Sequence, residues 1–212
     1  MKKKVKLFLL LALILYMYDS YKDGAKEELL ASEVEVQEEV LESSADLSEL
    51  SFGYEFYSEL DSLGRCGYAL ALVGPETMPT EERGAIGHIK PSGWHTVKYD
   101  CIPDRYLYNR CHLIAFCLTG ENDNEKNLIT GTRQMNLAML PYETEVADYV
   151  DRTGHHVEYR VTPVFTGDNL ICDGVKIEAH SVEDDAIDIN VFIKNEQDGV
   201  IIDYATGESK AE

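Results

Sequence analysis

The stretch that decides the fold is "YNRCHLIAFC" (108–117), taken together with "NEKNLITGTRQMN" (124–136). In the first stretch Arg110 and His112 stand two positions apart just before an apolar run, which predicts a strand that continues into a partly buried segment. Between the two stretches, "ENDNEKN" (121–127) is rich in turn-forming residues and predicts an exposed loop. His112 then has three interpretations: a packing residue, a metal ligand or a general base.

A helix is predicted from about Thr132 to Val150, because apolar residues recur there at helical spacing. Those residues are Met135, Met139, Leu140, Val146 and Val150. Pro141 lacks the N–H of an interior helical residue, so we expect the helix to break or restart at this position. Asn136 and Glu143 are seven residues apart, and they share one face if the helix is continuous.

The second half of the domain alternates in hydrophobicity as β-strands do. The alternating residues are Val157, Tyr159 and Val161 in one segment and Ile187, Ile189, Val191 and Ile193 in another. Short apolar clusters near glycines, "GRCGYALALVG" (64–74) and "GWHTVKYD" (93–100), indicate further strands. Hairpin-linked strands after one central helix predict an α+β domain with a largely antiparallel sheet.

The N-terminus has the pattern of an export signal. Lysines at positions 2, 3, 4 and 6 precede an apolar run of 12 residues from Leu7 to Tyr18. A bilayer crossing needs about 20 residues, so this run suits the apolar region of a signal peptide better than a full span. Because no small-x-small cleavage site is obvious after Tyr18, residues 1–18 are interpreted as a signal peptide or a signal anchor. We therefore expect a protein that is secreted or anchored to the outer face of the cytoplasmic membrane.

Residues 19–51 predict an acidic spacer. The segment is rich in Glu, Ser and Asp and has no aromatic residue between Lys22 and Leu50. It therefore offers little that a packed core could bury, and we expect it to be disordered. The folded domain should cover residues 52–212.

The net charge of −20 is unfavourable for a phosphate-rich partner, which normally requires a basic face. The acidic side chains are concentrated away from the two stretches quoted first. Residues 1–50 hold 6 basic and 11 acidic side chains, residues 141–212 hold 5 and 17, and residues 51–140 hold 8 and 11. Binding of nucleic acid would have to rely on local contacts, and we expect it to be weak and indifferent to sequence.

Five cysteines, at positions 66, 101, 111, 117 and 172, make an odd count without a CxxC pair. A structural zinc site is therefore not expected. In an exported protein we expect one or two disulfides, whose pairing the sequence does not give. Cys111 adjoins His112, but neighbours in a strand point to opposite faces, which disfavours a Cys/His nucleophile pair.

The polar residues of the two stretches match the needs of phosphodiester hydrolysis. A neutral imidazole such as that of His112 can take a proton from water. Magnesium keeps several waters and needs only one or two protein oxygens, which Asn136 and Glu143 could supply. Each residue alone is weak support, since a lone His in a strand is more often a packing residue and Asn136 could be a helix cap.

Taken together, "YNRCHLIAFCLTGENDNEKNLITGTRQMN", "RCGYALALVGPETMPTEERG", "GWHTVKYD" and "MLPYETEVADYV" closely resemble the DNA/RNA non-specific endonucleases, in particular the DNA-entry and secreted nucleases of Gram-positive bacteria. The resemblance runs from roughly Arg65 to Tyr204. It implies a ββα-metal nuclease core and hydrolysis of DNA, and RNA as a second substrate, leaving 5′-phosphate ends. It also implies Mg²⁺ as cofactor, with Mn²⁺ as a possible substitute. Membrane contact is expected only through the N-terminal segment, on the pattern of residues 1–18.

The resemblance also assigns roles to individual residues. His112 matches the general base and Asn136 the direct magnesium ligand. Asn127 matches an asparagine that supports the active site or the DNA, and Glu143 a carboxylate near the water shell of the metal. Arg110 is expected near the phosphate or as a structural brace. Arg133 is a further candidate for phosphate contact.

The chain departs from the Asp-Arg-Gly-His hallmark of the family at two positions. Asn109 stands in place of the acid and Cys111 in place of the glycine. Neither change removes an essential catalytic group, so we expect an active enzyme. The alternatives are an inactive nuclease fold that binds nucleic acid or a surface partner, and an acidic structural surface protein.

Overall fold

The computed structural model describes residues 51–212. The predictions of an export segment over 1–18 and of a spacer over 19–51 fall outside these residues, apart from Ser51. In chain order the described elements are β1 (Glu55–Tyr57), β2 (Ala69–Val73), β3 (Tyr108–His112), α1 (Phe116–Thr119), a 3₁₀ turn (Glu125–Asn127), β4 (Leu128–Thr132), α2 (Arg133–Thr153), β5 (Val157–Val164), β6 (Gly174–Ser181), β7 (Asp188–Lys194), β8 (Val200–Ile202) and β9 (Ser209–Ala211). No helix within 51–212 is long and apolar enough to cross a membrane.

A five-stranded antiparallel sheet forms the centre of the domain, in the order β1-β2-β5-β6-β7. Val157, Tyr159 and Val161 of β5 are fully buried, while the residues between them are half-buried. Ile189 and Ile193 of β7 are also buried, with Val191 packed against the same core. The predicted α+β class with a largely antiparallel sheet is confirmed.

A separate two-stranded hairpin, β3 paired with β4, leads directly into α2. Its register places Cys111 opposite Ile129 and His112 opposite Leu128. The side chain of Thr132 caps the helix by accepting a hydrogen bond from the Met135 N–H at 3.0 Å. Two strands followed by this helix form the ββα unit that the resemblance implies.

The predicted break at Pro141 is wrong, because α2 runs unbroken from Arg133 to Thr153. Pro141 and Leu137, whose carbonyl loses its helical partner, are both exposed, so the missing hydrogen bond lies on the solvent side. The opposite face is buried, and its packing keeps the helix continuous through this position. It includes Met135, Met139, Glu143, Val146 and Val150. Leu140 is 45% exposed and does not belong to that packing face.

Two other expectations fail. "GWHTVKYD" forms no strand, and it contributes only an isolated bridge between Lys98 and Tyr106. All five cysteines lie within the described residues and all are free thiols, so the expected disulfides do not form.

Candidate active site

His112 ends strand β3 and is only 7% exposed. Its Nε2 lies 2.8 Å from the carbonyl oxygen of Asn122, and its Nδ1 lies 3.1 Å from a terminal nitrogen of Arg83. Because a guanidinium only donates and a carbonyl only accepts, the ring carries its proton on Nε2 and leaves Nδ1 as the acceptor. His112 is therefore held as a neutral imidazole whose unprotonated Nδ1 accepts a hydrogen bond from Arg83.

Burial is the main cause that lowers the pKa of His112, and the positive charge of Arg83 lowers it further. The hydrogen bond to Asn122 opposes both effects, because it favours the protonated ring. The net result is a pKa below the ordinary histidine value. At neutral pH the ring is ready to accept a proton.

His112 and Arg83 face an open cavity of about 610 Å³. The cavity is also lined by Arg110, Arg133, Asn136 and Glu143, so it brings together every sequence-predicted site residue except Asn127. Three arginines line this cavity against two carboxyl groups, Asp104 and Glu143, so the balance of formal charge there is positive in an otherwise acidic protein. Distant surface carboxylates oppose it little, because charges are screened beyond about 8 Å at physiological salt.

Asn136 and Glu143 project from the same helix, two turns apart, as they should on a continuous α2. The Oδ1 atom of Asn136 accepts a hydrogen bond from the Cys111 thiol at 2.8 Å. Glu143 is 8% exposed, and burial raises its pKa to about 7 against the opposing charge of Arg83. The carboxyl therefore changes charge near neutral pH.

These two residues suit a hard, hydrated cation. An amide oxygen has two lone pairs, so Asn136 Oδ1 retains one beyond its bond to the thiol. Within residues 51–212 no three His, Cys, Asp or Glu side chains cluster as a metal cage. A cation held here would take a protein oxygen from Asn136, with water completing its shell and Glu143 beside those waters.

Arg110 braces the cavity wall. Its Nε donates to the carbonyl of Ile89 and a terminal nitrogen donates to the carbonyl of Gly87 at 2.8 Å. The guanidinium also stacks 4.1 Å from the ring centre of Trp94. Of the two roles expected for Arg110, these contacts display the structural one; the other terminal nitrogen takes no part in them.

Asn127 does not line the cavity, and its contact with substrate stays a prediction. The residue is fully buried, and both polar atoms of its side-chain amide form hydrogen bonds with the backbone of Ile114. Oδ1 accepts from the Ile114 N–H at 2.9 Å, and Nδ2 donates to the Ile114 carbonyl at 3.0 Å. Asn127 thereby fixes the chain just after His112, which matches a supporting role.

Arg133 lies at the first position of α2 and forms a 2.7 Å ion pair with Asp104. The pair leaves Arg133 on the cavity wall with 28% of its side chain exposed. Its charge is thus partly neutralised before any substrate arrives.

Arg83 is the site residue that the sequence reasoning missed. It lies in the irregular segment between β2 and β3, 29 residues before His112. No periodicity or motif in "TEERG" (80–84) distinguishes it from a solvated charge. Only the fold brings it to the histidine.

The fold and the site point to the nuclease class. A family model described as DNA/RNA non-specific endonuclease matches residues 46–183. The chain belongs to this family, which confirms the resemblance found in the sequence.

Solved structures show the same fold. NucA from Streptococcus agalactiae, with magnesium bound, is 27% identical with a TM-score of 0.68, over 77% of this chain and 82% of that one. The Sda1 nuclease with bound zinc is 27% identical with a TM-score of 0.64, over 75% of this chain and 82% of that one. A structure described as an extracellular endonuclease shares the fold at 18% identity and a TM-score of 0.61, over 79% of this chain and 90% of that one.

Proposed function

We propose that this chain is a divalent-metal-dependent endonuclease that hydrolyses DNA and RNA with His112 as general base. The main supporting observation is that His112, whose Nδ1 accepts from Arg83, lines the same cavity as Asn136 and Glu143. A general base needs an unprotonated nitrogen within reach of a water, and the neutral tautomer of His112 provides it.

In this proposal Nδ1 of His112 takes a proton from the water that attacks the phosphorus. The Asn122 carbonyl, 2.8 Å from Nε2, then stabilises the resulting imidazolium. Arg83 exchanges its contact with Nδ1 for a phosphate oxygen when the substrate enters. Arg133 offers a second cationic contact, and Arg110 holds the wall in place while its free nitrogen faces the cavity.

The cation would be held by the amide oxygen of Asn136, with Glu143 supporting its waters. When bound, it supplies positive charge to the phosphoryl oxygens and to the leaving oxygen. We propose Mg²⁺, with Mn²⁺ as a substitute. Magnesium in the NucA structure and zinc in the Sda1 structure support a divalent ion at such a site.

We also propose that the protein is exported, either released or held at the outer face of the cytoplasmic membrane. The lysine cluster and apolar run of residues 1–18 support export. Mass spectrometry of the protein recovered outside the cells would identify its N-terminus. Recovery of the chain only from the cytosol would contradict this part of the proposal.

Plasmid digestion tests the nuclease activity. We expect cleavage of supercoiled DNA and of RNA with Mg²⁺, and none with EDTA. Absence of cleavage with every divalent ion tried would favour the alternative of an inactive module that binds nucleic acid. Cleavage that persists in EDTA would refute the metal requirement.

A further inference from the structure

The side chain of Cys111 joins the strand that carries the base to the helix that carries the proposed metal ligand. Its Sγ lies 2.8 Å from Oδ1 of Asn136, and the residue is fully buried. Neighbours in a strand point to opposite faces, so Cys111 turns away from the side occupied by Arg110 and His112. It contacts the first turn of α2 instead.

The contact fixes which way the amide of Asn136 is turned. The χ2 torsion of asparagine is broad, so its oxygen and nitrogen exchange places easily without a partner. A thiol offers one S–H donor, and the amide oxygen is the group that accepts it. Sulfur is only a weak acceptor, so while the thiol donates, the oxygen of Asn136 is favoured over its NH₂ group at this position.

We propose that Cys111 is a positioning residue whose thiol orients the Asn136 carbonyl oxygen for the cation. The inference rests on the proposed function, because it takes Asn136 as the ligand. Outer partners that orient metal ligands typically contribute 10- to 100-fold to metal affinity. Cys111 occupies the position at which the family hallmark has glycine, so this chain gains a hydrogen bond that the hallmark lacks.

The opposite strand leaves room for the thiol. A Cβ at Gly131 would clash with the side chain of Cys111 and would lie 2.7 Å from the Cε of Met135. The φ of Gly131 is not positive, so space rather than backbone conformation requires glycine here. The thiol of Cys111 therefore fits only because residue 131 is a glycine.

The test measures Mn²⁺ binding to the metal-free full chain by electron paramagnetic resonance, with Mg²⁺ titrations of cleavage beside it. We expect Cys111→Ala to weaken Mn²⁺ binding about 10- to 100-fold. Cys111→Ser keeps a donor and should stay within about threefold of the wild type, since a hydroxyl replaces the S–H donor. Cleavage by Cys111→Ala should recover at saturating Mg²⁺.

Cys66→Ala is the matched control, because Cys66 is also a buried thiol and donates only to backbone carbonyls of Glu125 and Leu128. It should leave metal binding unchanged. Wild-type affinity in Cys111→Ala would overturn the inference, and so would equal losses in Cys111→Ala and Cys111→Ser. If Cys111→Ala does not fold, Gly131→Ala displaces the thiol without removing it and should weaken Mn²⁺ binding; unchanged binding there would overturn the inference.

Asn136→Ala separates this inference from the proposed function. If Asn136→Ala binds Mn²⁺ as the wild type does, the proposed metal ligand is wrong and the role of Cys111 is wrong with it. If Asn136→Ala loses binding while Cys111→Ala keeps it, only the positioning role is wrong.

Discussion

The guanidinium of Arg83 lies 3.1 Å from Nδ1 of His112, and it is the only group that the structure places on that nitrogen within residues 51–212. The contact favours the neutral ring and keeps the arginine on the wall of the cavity that His112 also lines. Arg83 thus affects both the pKa of His112 and the positive charge of the cavity.

Arg83→Ala is expected to move the acidic limb of the pH–rate profile to higher pH. The base works only when deprotonated, so the rate falls as pH drops through the pKa of His112. Because the charge of Arg83 lowers that pKa, removing the charge raises it. Arg83→Lys keeps a positive charge and should shift the limb less. A limb that is unmoved or displaced to lower pH in Arg83→Ala would contradict the electrostatic role.

Glu143→Gln is expected to weaken metal binding and to stabilise the metal-free protein at pH 8. The folded-state pKa of Glu143 is raised from 4.5 to about 7, so the folded protein holds a proton that the unfolded chain has released. Below pH 4.5 the protonated carboxyl costs the folded protein nothing. As pH rises from 4.5 through 7, the free energy of unfolding falls by about 3 kcal/mol in total, because the folded protein must then bury a charged carboxylate.

Urea unfolding in EDTA at pH 5 and pH 8 measures this effect. The wild type should lose stability between the two values relative to Glu143→Gln, which has no carboxyl to ionise. Glu145→Gln, on the exposed side of α2, is the matched control and should follow the wild type. If the free energy of unfolding depends on pH in the same way in Glu143→Gln and in the wild type, burial does not raise the pKa of this carboxyl.

Asn127→Ala should destabilise the fold by roughly 2–4 kcal/mol, because it leaves the N–H and the carbonyl of Ile114 without their partner. Asn190→Ala removes an exposed asparagine from β7 and should change stability by less than about 0.5 kcal/mol. Chemical denaturation checks both. If Asn127→Ala keeps full stability and loses only substrate affinity, the bracing role is wrong.

Duplex binding should depend only moderately on salt. With about two phosphate contacts, affinity falls roughly tenfold between 50 and 200 mM salt, against a thousandfold or more for a strongly basic binder. Asp104→Asn frees Arg133 from its ion pair and should both tighten binding and steepen the salt slope by about one contact. If the affinity of the wild type for duplex DNA falls several hundredfold over that range, our explanation of how an acidic protein binds DNA is refuted.

Periodicity predicted the strands of the second half and the position of α2, because burial of one face imposes the alternation seen at Val157 and Ile189. It failed at Pro141, where the packing of the buried helix face outweighs one missing hydrogen bond on the solvent side. It also failed for 93–100, whose aromatic and β-branched residues form irregular chain around a single bridge at Lys98.

The site was predictable to the extent that it lies within one contiguous ββα unit. His112 and Asn136 reach the same cavity because 24 residues of hairpin and helix connect them. The presence of Arg83 in the site was not predictable, because it lies in an irregular segment that has no periodicity to indicate its position. The burial of Asn127 was not predictable either, because an asparagine that binds DNA and one that binds backbone look alike in sequence.

The role of His112 as base is tested most directly by His112→Ala, assayed on plasmid DNA with and without added imidazole. General-base catalysis typically contributes 10²- to 10⁴-fold, so the variant should lose about that much of the wild-type rate while remaining folded at the assay temperature. Free imidazole should restore part of the loss by occupying the vacated space. Cleavage by His112→Ala at the wild-type rate would contradict the assignment.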